Sequence, residues 1–504
     1  EVCDFGLQQQ APLPDLAPEC AQATVRIAVS QSNITVSSLE DNDDGLLGPG
    51  ELTLREAVKL IANDGAIEFA PGIVTPGTDS LITLTLGELP IERSMIITGP
   101  DPANGRIVIS GGGADRIFDV DAFEFTLSAL TLRDGNAEGA GGALHAATGS
   151  VVTLSDVLIT ENTASTTGGG IHSRGALDAN RVTVAGNTAG SFGGGICSEG
   201  TLNIGNSTIS GNQSVGADGG GVQIQSGDAL LFHCTVAGNQ AVSSGGIRSV
   251  PDTTIIGNSL IAGNLADAAV KDAEGIFTAR GVNLIGNTEG SAESWTAADL
   301  LDVDSGTVFA PNLRLNGGPL PTHALLADSP AIDAGDDNLV TTPRFDTDQR
   351  GAGFGRINGA AVDIGAYETN RLTVDTLADA VPSDTGDGML SLREAIAASY
   401  PGDVIAFSVT GAISLAARLD IDNGKPDIVS SLGLFGPGSD QLTLSGAGAT
   451  QLIFISSADS DVVMEGLSLR DGFDQPGDAG RGGCALYNFG TVRVRDCAFA
   501  DNTA

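Results

Sequence analysis

The sequence predicts an all-β protein, a right-handed parallel β-helix, and three observations carry that expectation. Asn162, Asn187, Asn212, Asn239 and Asn264 recur at separations of 25, 25, 27 and 25 residues. The first four are followed by glycine clusters at 168–171, 193–196, 219–222 and 245–247. Between them Leu, Val and Ile alternate with polar residues over two to four positions, the period of a strand and not of a helix. A repeat of this length marks a solenoid whose units bury their apolar faces only against one another.

Each element follows from that frame. Counting back from each Asn, the third residue (Ile159, Val184, Ile209, Val236, Ile261) and the fifth (Val157, Val182, Ser207, Cys234, Ser259) should point inward. The row between them, Leu158, Thr183, Thr208, Thr235 and Leu260, should face out. Three short strands per turn are expected. The asparagines should supply the left-handed corner residue and stack their amides into a ladder. The glycines should stand where coils approach closely.

A longer repeat overlies the short one. ELTLREAVKLIANDGAIEF at 51–69 returns as MLSLREAIAASYPGDVIAF at 389–407, and Glu56 and Glu394 lie 338 residues apart. The expected domains are an N-terminal segment 1–33, a first β-helix module 34–371 with a closing segment from about 323, and a second, incomplete module 372–504. At roughly 4.8 Å per coil, about 13 coils would make the first module roughly 60 Å long. Thr53 with Glu56, and Ser391 with Glu394, form S/T-x-x-E capping boxes. Each should start a short helix that plugs the end of its module, with Leu54, Val58 and Ile61 on one face of the first.

LTLREAV and LSLREAI resemble the CSLREA motif of bacterial surface β-helix proteins, with Leu52 and Leu390 in place of the family's Cys. HALLADSPAIDAGDDN, DTDQRG and VDIGAYE, at 323–338, 346–351 and 362–368, resemble the choice-of-anchor Q segment. The glycine corners and asparagine strands are loosely similar to polymorphic outer-membrane proteins. These resemblances imply a pectin-lyase-like solenoid in an extracellular or cell-surface protein of tandem modules, and no catalytic mechanism.

Composition bears on partners. The formal charge is −39, from 63 acidic and 24 basic residues. Such a surface repels nucleic acid and anionic membranes. It suits divalent cations or a salty medium, and without them it would oppose association of copies. The partners expected are further copies of the chain, in a filament or surface layer, or a surface polysaccharide. No apolar run is long enough to span a membrane. The start at Glu1-Val2-Cys3 reads as a processed one, with a signal peptide removed. Cys3 and Cys20 bracket a proline-rich stretch and are candidates for a staple, as are Cys484 and Cys497.

Candidate chemistry is sparse. Glu40, Asn42, Asp44 and Glu51, with Gly45 at the sixth position, have the spacing of a calcium loop, so Ca2+ is the cofactor expected. The acids Asp333, Asp336, Asp337, Asp346, Asp348 and Asp363, with Arg344, Arg350 and Arg356, should form a network over Tyr367 that folds the closing segment. His145, His172, Cys197, Gln223 and Arg248 form a mixed outward row whose first three members could ligate a metal. The galacturonase set NTD, DD and GHG does not occur in order. The expected function is therefore a secreted structural or adhesive rod without catalytic activity. The alternative is a polysaccharide lyase or glycoside hydrolase on the same scaffold.

Overall fold

The computed structural model describes residues 31–503 apart from 47, 49, 268–270, 292–293, 381–387, 422–430 and 474–483. The proposed Cys3–Cys20 staple, and the counterpart of the acidic loop at Asp384 and Asp387, lie outside the described residues.

In the first module, ten strands from Gln31–Val36 to Phe277–Arg280 form one sheet. Ten more, from Asp79–Thr83 to Leu300–Leu301, form a second, and eight, from Leu89–Ile91 to Ala273–Glu274, form a third. Every pairing in these sheets is parallel and joins one coil to the next, as Ile159 pairs with Val184 and Val184 with Ile209. The middle coils also carry a fourth sheet of six two-residue strands, from Asn136–Ala137 to Leu265–Ala266, where three strands per turn were expected. The coils are also fewer than expected. Ten rungs give a stack of about 45 Å, because residues from 302 onward leave the coil.

The inward rows are buried as expected. The asparagines form a continuous ladder. Nδ2 of Asn162, Asn187, Asn212 and Asn239 donates to Oδ1 of the next at 2.9, 2.9, 2.8 and 2.8 Å. The left-handed residue, however, is not the asparagine but the one before it. Glu161, Gly186, Gly211, Gly238 and Gly263 have φ of 57, 66, 64, 66 and 72°. That corner turns the asparagine side chain inward, where its amide satisfies buried backbone groups. The glycine clusters make room for it: a Cβ on Gly195 would lie 3.1 Å from the Asn212 amide, and one on Gly246 2.9 Å from that of Asn264.

Asp272 ends the ladder, its Oδ1 accepting from both N and Nδ2 of Asn264 at 2.8 Å. Burial pushes its carboxyl up to about 6. A folded-state value above the unfolded one stabilises the protein at low pH, and this contribution is lost as pH rises through about 6. Asp272→Asn should therefore match the wild type near pH 4 and be more stable above pH 6 by about 1–3 kcal/mol. Thermal unfolding of both proteins across this range checks it, and a pH-independent difference would refute the assignment.

Both capping boxes form. Thr53 accepts from the Glu56 N–H ahead of the helix Leu54–Leu60, and Ser391 from that of Glu394 ahead of Leu392–Ala398. Leu54, Ala57 and Val58 pack into the first core. Ile61, expected on the helix, instead begins the strand Ile61–Phe69. At the far end of the first module Trp295 stacks on Phe277, ring centroids 5.6 Å apart.

The second module repeats the plan in separate parallel sheets of five, four and three strands, beginning at Arg371–Val374, Gly411–Ser414 and Leu419–Asp420. No described strand of it pairs with a strand of the first module. Cys484 and Cys497 are free thiols, not a disulfide.

Candidate functional site

The closing segment decides how the molecule is put together. Thr183, Thr208, Thr235 and Leu260, expected to face solvent, are buried because this segment folds back along the outside of the second sheet. Thr183 donates to Pro321 O, Thr208 to Gln349 Oε1, and Ser210 pairs with His323 Nε2. Thr235 accepts from the Ala366 N–H, while Leu260 joins a cluster with Ile364 and Tyr367. Backbone carbonyls and the segment's side chains thus take the place of water on a threonine row.

At the segment's centre Arg350 and Asp348 form an ion pair of 2.7 Å with both side chains fully buried. The guanidinium lies 3.9 Å from the ring centroids of both Phe354 and Tyr367. It also donates to the Glu368 carbonyl. Asp348 Oδ2 accepts in addition from the Glu368 N–H at 2.9 Å. Beside this pair, Asp363 accepts from the Asp333 and Thr369 N–H groups, and Glu368 from those of Asn358 and Asp363. Burial raises both carboxyls, and each stands near the other. The expected acid and arginine network over Tyr367 is therefore present in its inner members. Asp336 and Asp337 serve differently, Asp336 capping the short turn Asp337–Leu339 and Asp337 accepting from the Val362 N–H.

The second module docks on the other side of the same segment. The Tyr367 hydroxyl donates to Pro401 O, and the Phe354 and Tyr400 rings meet edge to face at 5.2 Å. Asp403, pushed up to about 6 by burial, accepts from the Asn370 and Tyr400 N–H groups. Farther along, Asp328 is bound by Arg493 and Arg495.

The calcium-like loop is closed on itself. Asn42 Nδ2 donates weakly to Glu40 Oε2 at 3.4 Å, Asp44 accepts from the Leu46 N–H, and Glu51 from the Gly48 N–H. Among the described residues no group of three or more His, Cys, Asp or Glu is spaced to hold a metal. The residue that matters structurally here is Asp41, which the loop reading passed over. It pairs with Arg55 at 2.7 Å and accepts from the Thr85 and Leu86 N–H groups. Burial pushes its carboxyl up, but these partners outweigh it and hold it below the usual range. Asp379 and Arg393 repeat the pair at 2.8 Å in the second module.

The outward row of the third sheet is longer than its sequence signature. Asp119, His145, His172, Cys197, Gln223, Arg248 and Glu274 stand in register on successive rungs. His145 and His172 stack with centroids 5.4 Å apart and rings 7° from parallel. His145 Nδ1 meets Asp119 at 2.7 Å, and His172 Nε2 meets Glu199 at 3.2 Å. Cys197 is buried, which pushes its thiol up to about 12 and leaves it a poor ligand or nucleophile. The arginines in and beside the row each face a carboxylate: Arg116 meets Glu88 and Asp119, Arg174 meets Glu199, and Arg248 meets Glu274. Burial raises Glu88. Glu88, Arg116, Asp119 and His145 thus form one cluster of carboxylates, guanidinium and imidazole among the described residues.

No protein-family model matches the chain, and no curated protein matches it. Solved structures do. Pectate lyase Pel9A is 15% identical with a TM-score of 0.40, over 68% of this chain and 98% of that one. The PL6 family alginate lyase AlyGC is 11% identical with a TM-score of 0.25, over 93% and 76%. A mutant of it gives 11% and 0.24, over 92% and 78%. It is the strand register, and not these distant likenesses, that makes the chain a parallel β-helix protein of two modules.

Proposed function

We propose that the chain is a non-catalytic structural or adhesive element of the cell exterior, in which two short β-helices are locked side by side through the closing segment. The observation that supports this reading most is the buried Asp348–Arg350 pair with its Tyr367 and Phe354 stacking, which ties the segment shut instead of presenting charge to a substrate. The carboxylates and cations of the third-sheet row neutralise one another, whereas glycoside hydrolysis needs two carboxyl groups free to flank the scissile bond. Incubated with pectate, alginate and neutral glycans, the purified protein should release neither reducing ends nor unsaturated sugars. Release that disappears in Asp119→Ala would establish the enzymatic alternative at the Glu88, Arg116, Asp119 and His145 group.

Calcium at the 40–51 loop belongs to the same proposal. It requires Asp44 and Glu51 to exchange their local N–H donors for the ion. Millimolar calcium on a site of roughly 0.1 mM affinity would add about 1.4 kcal/mol. The expected result is a higher melting temperature in calcium than in EGTA for the wild type, and no such difference for Asp44→Ala. An equal shift in both proteins, or none in either, removes calcium from the loop.

A further inference from the structure

The turn that leads from the closing segment into the second module holds two buried carboxyls, Asp363 and Glu368, each 1% exposed. Asp363 accepts from the Asp333 and Thr369 N–H groups at 2.7 and 2.6 Å. Glu368 accepts from those of Asn358 and Asp363 at 3.0 and 2.9 Å, so the two residues are directly joined. Glu368 also reaches the Asp348–Arg350 pair through its own N–H and carbonyl. The strand Arg371–Val374 of the second module follows at once.

Charge does not balance at this turn. Arg356 is the cation that faces both carboxyls. Its Nη2 donates to the carbonyls of Asp363 and Gly365, while its Nε and Nη1 meet no partner. Arg350 is already taken by Asp348, and Asp403 of the second module adds a further carboxyl on that side. Tyr367 stands among these groups as a neutral phenol, its hydroxyl pushed well above the usual range by burial. His233, facing Arg356 from the coil beneath, adds no charge, because burial and that guanidinium push it well below the usual histidine range. Asp333, on the outer side, is paired with Arg371 at 3.4 Å. One guanidinium thus serves two carboxyls in a site without solvent. Two desolvated carboxylates this close cannot both ionise cheaply, so one proton stays with the pair.

We propose that Asp363 and Glu368 share one proton at neutral pH, and that this proton is the catch of the module junction. Its release to water at alkaline pH sets two like charges against each other in the connecting turn and undocks the second module. Burial raises both carboxyls, and the Asp363 charge raises Glu368 further. The pair therefore stabilises the junction at low pH, and that contribution is lost as pH rises through the folded-state values. The device goes beyond the proposed function, which stands or falls without it.

Infrared spectra of the full chain at about pH 8 read the proton directly, because Asp272 and Asp403, pushed up to about 6, have ionised there. The wild type should show the carbonyl stretch of a protonated carboxyl, and Glu368→Gln should lack it. Calorimetry should give one transition for the wild type at about pH 7 and two at about pH 10, as the second module comes free. The glutamine cannot accept both N–H groups, so its melting temperature falls, but its number of transitions should not change with pH. The proposal is overturned if the wild type shows no such stretch, or if Glu368→Gln undocks with pH as the wild type does. Should that variant fail to fold, the wild type alone decides: the stretch must vanish over the same pH range in which the transition splits, and separate ranges overturn the proposal.

Discussion

Arg350→Ala should destabilise the protein by about 3–5 kcal/mol, the cost of breaking a buried ion pair and leaving one charge uncompensated. Asp348 keeps two backbone N–H donors, from Arg350 and Glu368, but loses its cation. The Phe354 and Tyr367 rings lose the guanidinium between them, worth about a further 1–2 kcal/mol where desolvated. Lysine should not rescue the site, because an ammonium cannot stack on two rings while bonding Asp348 and the Glu368 carbonyl. The effect should also be directional. Tyr367 bonds Pro401 and Phe354 packs on Tyr400, so loosening Arg350 frees the second module. Calorimetry should resolve one cooperative transition in the wild type and two in the variant. A single transition shifted by under a degree would mean that the pair contributes little and the modules are held elsewhere.

How much of this was legible in the sequence depends on the range of the interaction. Coil-to-coil contacts repeat every turn, so the inward rows, the asparagine ladder and both capping boxes were readable from spacing. The corner was misplaced by one residue because the asparagine is the visible member of the pair, while the residue before it varies between Glu161 and glycine and carries the positive φ. The buried threonines were missed for a different reason. Alternation tells which face a side chain is on, and nothing in it says that residues more than a hundred positions later will cover that face. Thr183 meets Pro321 across 138 residues and Thr208 meets Gln349 across 141. Asp41 could have been found. Asp379 lies the same 338 residues away as Arg393 does from Arg55, so the duplication itself marks the pair. Asp119 carried no such mark, since its coil lacks the regular asparagine corner, whereas Glu274 stands ten residues after Asn264 as His172 does after Asn162 and was hidden only by the missing glycine cluster.

The ladder makes the sharper prediction about chemistry, because its members are not equivalent. Asn212 Oδ1 accepts from N and Nδ2 of Asn187 at 3.0 and 2.9 Å, while its Nδ2 donates to Val184 O and Asn239 Oδ1 at 2.9 and 2.8 Å. An interior rung must therefore both accept and donate. Asp272 shows what a carboxylate can do: it only accepts, which suffices at the last rung. Asn212→Ala orphans the buried Asn187 N–H and should cost about 1–3 kcal/mol. Asn212→Asp keeps that acceptor but sets a carboxylate oxygen against Asn239 Oδ1 in a site without solvent. At pH 7 the aspartate should be at least as damaging as the alanine, although it is the closer isostere. Below about pH 5 its protonated carboxyl can donate to Asn239, and part of the loss should return, while the alanine variant gains nothing comparable. Urea unfolding of both variants at pH 7 and pH 4.5 reads the difference. If the aspartate is as stable as the wild type at pH 7, the amides are not donating along the stack, and the rows are held by the aliphatic core alone.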